Sequence, residues 1–252
     1  MGKFNPLKAI YEEAGLSSPG IYPYPLANAL LGDAPIENIA ALIEEGADVN
    51  ERDQGDSTPL ILAVNFCTDL AVISLLIVNG ADVNLSEKGG RTALMVAAWS
   101  RSKPEWVFEL LRAGAELEAR NEIGSTALFF AAQCNTNPAV IGVLLDAGAD
   151  ANTKIDAGLP ALSMAAGANS NPEIVLTMVK GGADINIRGQ DGRTPLMHAA
   201  GNSENPDVVA MLLNMGADAT LVSESGKIAL DYAKENEDVV NSDAYRQLLD
   251  AS

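Results

Sequence analysis

Apolar residues recur along this chain at a fixed step of 34 residues. The step is carried by one column of leucines: Leu26, Leu60, Leu94, Leu128, Leu162, Leu196 and Leu230. An alanine follows each leucine three positions later, and a glycine recurs at the same step from Gly46 to Gly216. A fixed period of about 20 to 50 residues is typical of repeat proteins, in which each unit is one supersecondary element.

Residues 188–220 illustrate how one unit is built. Thr194 followed by Pro195 is typical of a helix start, because threonine caps free amide groups and proline fits the first helical turn. Asn205 before another proline predicts the start of a second helix, and its apolar residues recur at helical spacing. Gly216 predicts the end of that helix in the left-handed conformation. Each unit therefore predicts a helix–turn–helix.

One such helix pair cannot bury its own apolar face, and stacked neighbours bury a continuous core. The sequence thus predicts an all-α solenoid of seven helix–turn–helix repeats that forms a single domain over residues 1–252. We expect an N-terminal half-repeat cap helix within 1–18, repeats 1 to 6 over 19–220, and a C-terminal capping repeat over 221–252. The last repeat carries a polar run, KENE, that would make its outer face wettable.

The repeated motifs resemble those of the ankyrin-repeat family. TPL occurs at Thr58 and Thr194, and GADVN follows the second helix at Gly46 and Gly80. The resemblance covers about residues 19–252 and implies the ankyrin-repeat solenoid fold.

The chain departs from the family pattern in two ways. Its period is 34 residues where the common ankyrin period is 33, and longer turns with proline join the two helices, as in many bacterial ankyrin proteins. The family's TPLH histidine is absent, and the matching positions hold Ile61, Met95, Phe129, Ser163, Met197 and Asp231. We therefore expect a hydrogen bond that links neighbouring repeats in the consensus to be missing here.

The resemblance also implies a binding surface. Ankyrin-repeat proteins usually hold partners on a concave side built from turn tips and the far ends of the first helices. Carried onto this sequence, that surface includes Phe66, Lys88, Arg91, Trp99, Glu122, Ile123, Gln133, Asp191 and Arg193. Trp99 and Phe66 are large apolar residues at positions expected to be exposed, whereas Trp106 aligns with the apolar stripe of a second helix and is expected in the core.

The composition of the chain limits the kinds of partner and binding site that we expect. The chain has 16 Lys and Arg against 34 Asp and Glu, a net charge of −18, which argues against nucleic acid or an anionic membrane as partner. No apolar run is long enough to span a membrane. One histidine and two cysteines argue against a metal site, and we expect no cofactor. His198 falls at a core-side position and is expected to be packed and hydrogen-bonded, while Cys67 and Cys134 are too far apart to pair and indicate a reducing, cytoplasmic compartment.

These observations predict a non-enzymatic module that binds a folded protein on its concave face, as an inhibitor, an immunity protein or a tether, and that is itself a monomer. Two alternatives stay open: a small-ligand-binding or hydrolytic protein that uses surface carboxylates, and a structural or self-assembling scaffold. The excess acid is compatible either with a solvated outer face or with attraction of a basic partner.

Overall fold

The structure is a computed structural model that describes residues 24–99 and 103–252. These residues form fifteen helices and two isolated β-bridges, Ser86–Thr92 and Lys154–Pro160. The all-α prediction is therefore confirmed for the described part of the chain. The predicted cap helix within 1–18 lies outside the described residues.

Most helices come in pairs, a first helix and a second helix in each repeat. The pairs are α1 Pro25–Leu31 and α2 Ile36–Glu44; α3 Pro59–Phe66 and α4 Leu70–Val78; α5 Ala93–Trp99 and α6 Pro104–Arg112; α7 Ala127–Cys134 and α8 Pro138–Asp146; α9 Ala161–Ala168 and α10 Pro172–Lys180; α11 Pro195–Asn202 and α12 Asp207–Asn214. A last group contains α13 Ala229–Ala233, α14 Glu237–Val240 and α15 Asp243–Ala251.

The described residues divide into two compact units. Unit 1 contains residues 24–97 and Glu109–Glu116, and unit 2 contains 98–99, 103–108 and 117–252. The division passes through the third helix pair, so the first two pairs lie in unit 1 and the last four groups lie in unit 2.

The first helices begin at the threonines that the sequence indicates. Thr58 Oγ1 accepts a hydrogen bond from the Ile61 amide at 3.3 Å, and Thr194 Oγ1 accepts one from the Met197 amide at 3.4 Å. A proline follows each of these threonines at the first helical position. These caps satisfy amide groups that the helix itself leaves unpaired.

The second helices α8 and α10 begin at an asparagine, of the kind predicted at Asn205, whereas α12 itself has Pro206 at its N-terminal cap. Asn137 Oδ1 accepts a hydrogen bond from the Ala139 amide at 3.0 Å, and Asn171 Oδ1 accepts one from the Glu173 amide at 3.1 Å. Gly216, just past α12, has a φ of +91°, a backbone conformation that glycine adopts without the strain a side chain would add.

The core of each unit is built from the leucine column and the alanines three positions later. In unit 1 Leu60 is 1% exposed and Ala63 is fully buried, and in unit 2 Leu162 is 1% exposed and Ala165 is fully buried. The small alanine side chains let first helices approach closely while the leucines fill the space between them. Trp106 is buried, which confirms its predicted place in the core.

Buried asparagines in the inter-helix turns of unit 2 link successive repeats. The Asn169 side-chain amide donates to the Ala132 carbonyl at 3.1 Å and to the Asn135 carbonyl at 2.8 Å. Asn135 makes the equivalent bond to the Ala98 carbonyl at 2.8 Å. The chain lacks the TPLH histidine, but the asparagines of its longer inter-helix turns form hydrogen bonds between neighbouring repeats from a different position.

The aspartates that recur after the second helices hold turns. Asp184 Oδ1 accepts a hydrogen bond from the Asn186 amide at 2.9 Å, and the Asp184 amide donates to Asn152 Oδ1 in the preceding repeat at 2.8 Å. The Asp218 amide repeats this link with Asn186 Oδ1 at 2.9 Å. These aspartates are therefore turn residues.

The last helix group carries the polar run that the sequence singles out. Lys234, Glu235 and Glu237 are exposed, and the half-buried Asn236 donates through its side chain to the Ser203 carbonyl at 3.0 Å. One asparagine of the run therefore ties α14 to the preceding repeat while its charged neighbours meet solvent. The capping role of this repeat stays a prediction.

We expect Asn169→Ala to lower the free energy of unfolding by about 1 to 3 kcal/mol, because it removes the donor from two carbonyls in a buried turn. Urea unfolding followed by circular dichroism measures the change. Asn214→Ala, at the exposed end of α12, is the matched control and should change the same quantity by less than about 0.5 kcal/mol. Equal effects of the two substitutions would contradict this role of Asn169.

Candidate functional site

The tip turns, which precede the first helices, are held by side-chain hydrogen bonds and by contact with the next tip. In repeat 4, Asn121 Oδ1 accepts hydrogen bonds from the amides of Ile123 at 3.1 Å and Ser125 at 2.8 Å. Gly124 has a φ of +78°, and a Cβ atom there would lie only 2.8 Å from the Asp156 amide nitrogen. Because glycine permits this approach, the Asp156 amide donates to the Ile123 carbonyl at 3.1 Å.

The same arrangement joins the last two tips. The Glu224 amide donates to the Asp191 carbonyl at 3.1 Å, and a Cβ atom on Gly192 would lie 2.9 Å from the Glu224 amide nitrogen. Such tips are fixed to one another before any partner arrives, so binding to them would cost little ordering of the backbone.

In unit 1 the structure describes three of the predicted site residues. Phe66, the last residue of α3, is 51% exposed, and Lys88 on the next tip is also exposed. Arg91 is half-buried and forms an ion pair with Glu87. Glu87 in turn accepts a hydrogen bond from Ser57 Oγ at 2.6 Å, which ties the second and third tips together.

The other predicted site residues lie in unit 2. Trp99, the last residue of α5, is 39% exposed, and Ile123 on the tip of repeat 4 is 58% exposed. Glu122 is exposed beside Ile123, and Gln133 near the end of α7 is half-buried. The predicted exposure of Phe66 and Trp99 is confirmed.

Asp191 and Arg193 form an ion pair, with Nε and Oδ2 3.2 Å apart. The Arg193 guanidinium carbon also lies 4.5 Å from the ring centre of Tyr232, and Lys227 Nζ lies 5.4 Å from it. Lys227 is paired in addition with Glu235 at 3.0 Å. Two cations on one tyrosine ring are a cation–π arrangement.

Sequence reasoning did not single out Tyr232, although a signal for it exists. Tyr232 lies four residues after Ile228, at the repeat position that His198 holds in the preceding repeat. The two residues are thus equivalent positions in neighbouring repeats, and both are polar where repeats 2 to 5 have the apolar residues Leu62, Val96, Phe130 and Met164.

A groove of about 440 Å³ lies between the tips of repeats 5 and 6 in unit 2. Its described lining consists of Ala157, Leu159, Gly189, Gln190, Asp191 and His198. The groove combines apolar walls with one carboxylate and one imidazole.

His198 corrects one expectation from the sequence. The side chain is half-buried, but its Nε2 atom is covered and has no hydrogen-bond partner among the described residues. Burial lowers the pKa of the imidazole, Asp191 opposes this shift and Arg193 reinforces it. The neutral ring is therefore favoured near pH 7, and the predicted packing occurs without the predicted hydrogen bond.

The cysteines are free thiols, as predicted. Burial raises the pKa of Cys67 to about 11, and the carboxylates of Asp33 and Asp69 contribute to the shift. The nucleophile is the thiolate, so Cys67 stays in its unreactive protonated form at neutral pH. Cys134 is exposed at the end of α7.

The carboxyl group of Glu51 has a raised pKa, and its role is structural. Burial raises the pKa of Glu51, while hydrogen bonds from the backbone of Ala27 and Leu26 lower it. Glu51 Oε1 accepts from the Ala27 amide at 2.8 Å. This carboxylate therefore caps the start of α1.

Two kinds of feature are absent from residues 24–99 and 103–252. No group of three or more His, Cys, Asp or Glu side chains in these ranges is placed to hold a metal ion. No helix in these ranges is long and apolar enough to cross a membrane.

Comparisons with known proteins agree with the repeat pattern. A family profile for ankyrin repeats, in three copies, matches residues 26–121, 101–189 and 162–251. The crystal structure of the human ASB11 ankyrin repeat domain is similar, with 25% sequence identity and a TM-score of 0.78 over 90% of this chain and 97% of that chain. No curated protein sequence matches the chain. The predicted fold class, an all-α ankyrin-repeat solenoid, is confirmed.

We expect His198→Met to make the protein less sensitive to acid. The folded state holds the His198 proton less tightly than the unfolded chain, so the wild type loses stability as the pH falls below about 6.5 and towards the lowered pKa. The variant lacks this loss and no longer buries an unpartnered nitrogen, which should raise its free energy of unfolding at pH 7.5 by about 1 kcal/mol. Met164 fills the same position in repeat 5.

Urea unfolding of both proteins at pH 7.5 and pH 5 measures the difference, in which the other titrating groups cancel. The same loss of stability on acidification in both proteins would contradict the role of His198.

Proposed function

Since the chain belongs to the ankyrin-repeat family, we propose that it is a non-enzymatic module that binds a folded protein partner on its tip turns and first-helix ends. Ankyrin repeats are general protein–protein interaction modules, typically without catalysis. On this proposal the chain acts as a monomer, in a reducing compartment where Cys67 and Cys134 stay free, and it inhibits, neutralises or tethers its partner.

The observation that carries this proposal is the exposure of large apolar residues at the positions that the family uses for binding. Phe66 is 51% exposed and Ile123 is 58% exposed, and Trp99 is 39% exposed at a first-helix end. Such residues meet solvent at a cost and become favourable when a partner covers them. Tryptophan and arginine are also enriched among residues that dominate binding energy.

The negative charge of the chain supports the proposal of a basic partner. The chain has a net charge of −18, and exposed acidic residues recur in the turns after the second helices: Asp48, Asp82, Asp150, Asp184 and Asp218. A protein surface of one sign attracts a partner of the opposite sign over a distance of about 10 Å at moderate salt.

Replacing Trp99 and Arg91 together by alanine should weaken partner binding at least thirtyfold, because residues of this kind each contribute about 2 kcal/mol when they sit at the centre of an interface. The partner is first captured from a lysate of the source organism on immobilised protein, then purified, and its Kd is measured by calorimetry. Unchanged affinity of the double variant would contradict the proposed surface.

Phe108→Ala is the matched control, because Phe108 is 60% exposed but belongs to a second helix, α6. It should leave the Kd unchanged within twofold. Loss of binding in Phe108→Ala, with binding retained in the double variant, would move the interface to the second helices.

A basic partner should associate more slowly as salt rises. We expect the association rate to fall at least tenfold between about 0.05 and 0.5 M NaCl while the dissociation rate changes little, since screening acts mainly on the encounter. Stopped-flow fluorescence measures both rates. The variant Asp150→Asn plus Asp184→Asn keeps a turn-forming oxygen at each site and removes two charges, so it should show a weaker salt dependence. A rate independent of salt would exclude electrostatic attraction.

A further inference from the structure

The last two repeats have different polar residues at the same repeat position, and these residues have different surroundings. Tyr232 and His198 are equivalent, one step of 34 residues apart. The Tyr232 hydroxyl lies 3.0 Å from Ser223 Oγ and 3.1 Å from Ser225 Oγ, so the tip of its own repeat satisfies it. The Tyr232 side chain is buried.

In repeat 6 the residues equivalent to those two serines are Gly189 and Asp191. Gly189 has no side chain, and Gly189 and His198 both line the groove. Nε2 of His198 is covered and has no hydrogen-bond partner among the residues that the structure describes. An unpartnered buried nitrogen costs stability, and a position that breaks its own repeat pattern at such a cost is where a function is expected.

The lining of the groove indicates the class of ligand. Leu159 and Ala157 offer apolar contact, and Asp191 is the charged residue among the described lining. Arg193 already uses this carboxylate, through Nε at 3.2 Å and through its amide at 3.0 Å. A carboxylate has about four acceptor positions, so further donors can still bind. The neutral imidazole of His198 does not repel a cation.

We propose that this groove receives an arginine side chain of the protein partner. The aliphatic stem lies along Leu159 and Ala157, and the guanidinium donates to the Asp191 carboxylate and to Nε2 of His198, whose ring turns towards the groove to accept. Arginine is preferred to lysine because a planar guanidinium has five donors in a fixed geometry and can serve two acceptors at once. This inference rests on the proposed function and specifies the partner residue that it recognises.

The chain contains one histidine, so its imidazole signals report on this groove alone. Tag-free, ¹³C,¹⁵N-labelled protein is titrated at pH 7.5 with N-acetyl-arginine amide, N-acetyl-lysine amide and N-acetyl-citrulline amide, which has the shape of arginine without the charge. We expect a saturable shift of the His198 signals with the arginine amide, and at least tenfold weaker binding of the other two. A flat titration, or citrulline or lysine binding as tightly as arginine, would overturn the proposal.

Two variants keep the test specific. Gly189→Ser restores one of the two hydroxyls of the last repeat. Its Cβ atom would lie only 3.1 Å from Asp191 Oδ1, so the substitution should displace this carboxylate and abolish the arginine response. Asp191→Asn keeps the shape and removes the charge, and it should weaken the response at least tenfold. Gly55→Ser, a matched change on a tip in unit 1, should leave it intact. A full response in both groove variants would overturn the proposal.

The purified partner then separates this inference from the proposed function. Weaker partner binding in Asp191→Asn supports the groove, whereas partner binding that depends on Trp99 and Arg91 but not on Asp191 overturns it and leaves the proposed function intact. A saturable arginine response together with partner binding indifferent to Trp99 and Arg91 would overturn the proposed surface and retain the groove.

Discussion

Within each unit, the described helix pairs depend on neighbouring pairs to bury their apolar faces. Leu162 and Ala165 show the constraint in unit 2, since both are almost fully buried although α9 is only eight residues long. A helix of that length is marginal alone, and packing supplies the stability that propensity does not. The requirement also explains why the leucine and alanine columns recur, because each repeat presents the same residues to its neighbour.

Hydrogen bonds between repeats fix the position that hydrophobic packing leaves loosely defined. Buried Asn169 reaches two carbonyls of the preceding repeat, and exposed pairs such as Asn152 and Asp184 repeat the link at the opposite end of the second helices. Apolar contact is non-directional, whereas each amide–carbonyl bond has a preferred distance and angle. Repeats joined in this way hold their tips in fixed positions, which suits a binding surface.

The fold was predictable because its signals are local and repeated. The helix starts at Thr58 and Thr194, and the glycine end at Gly216, follow from capping chemistry within a few residues. The asparagine links were not predictable, because Asn169 and Asn135 are 34 residues apart in sequence and only the packed structure brings their turns together. The family consensus concerns the TPLH histidine and gives no indication of hydrogen bonds from these turns.

The candidate site also has some features that the sequence predicts and others that it does not. The exposure of Phe66 and Trp99 follows from their place in the repeat, so the sequence suffices for it. The stacking of Arg193 on Tyr232 and the unpartnered nitrogen of His198 depend on which tip residues face each helix. A repeat protein offers its own control for such features, because the same position occurs again in a neighbouring unit. Against Tyr232, which finds two hydroxyl partners, His198 stands out as an incomplete copy of the same arrangement. That comparison, rather than burial or charge alone, is the reason for proposing the groove beside His198 as a binding site.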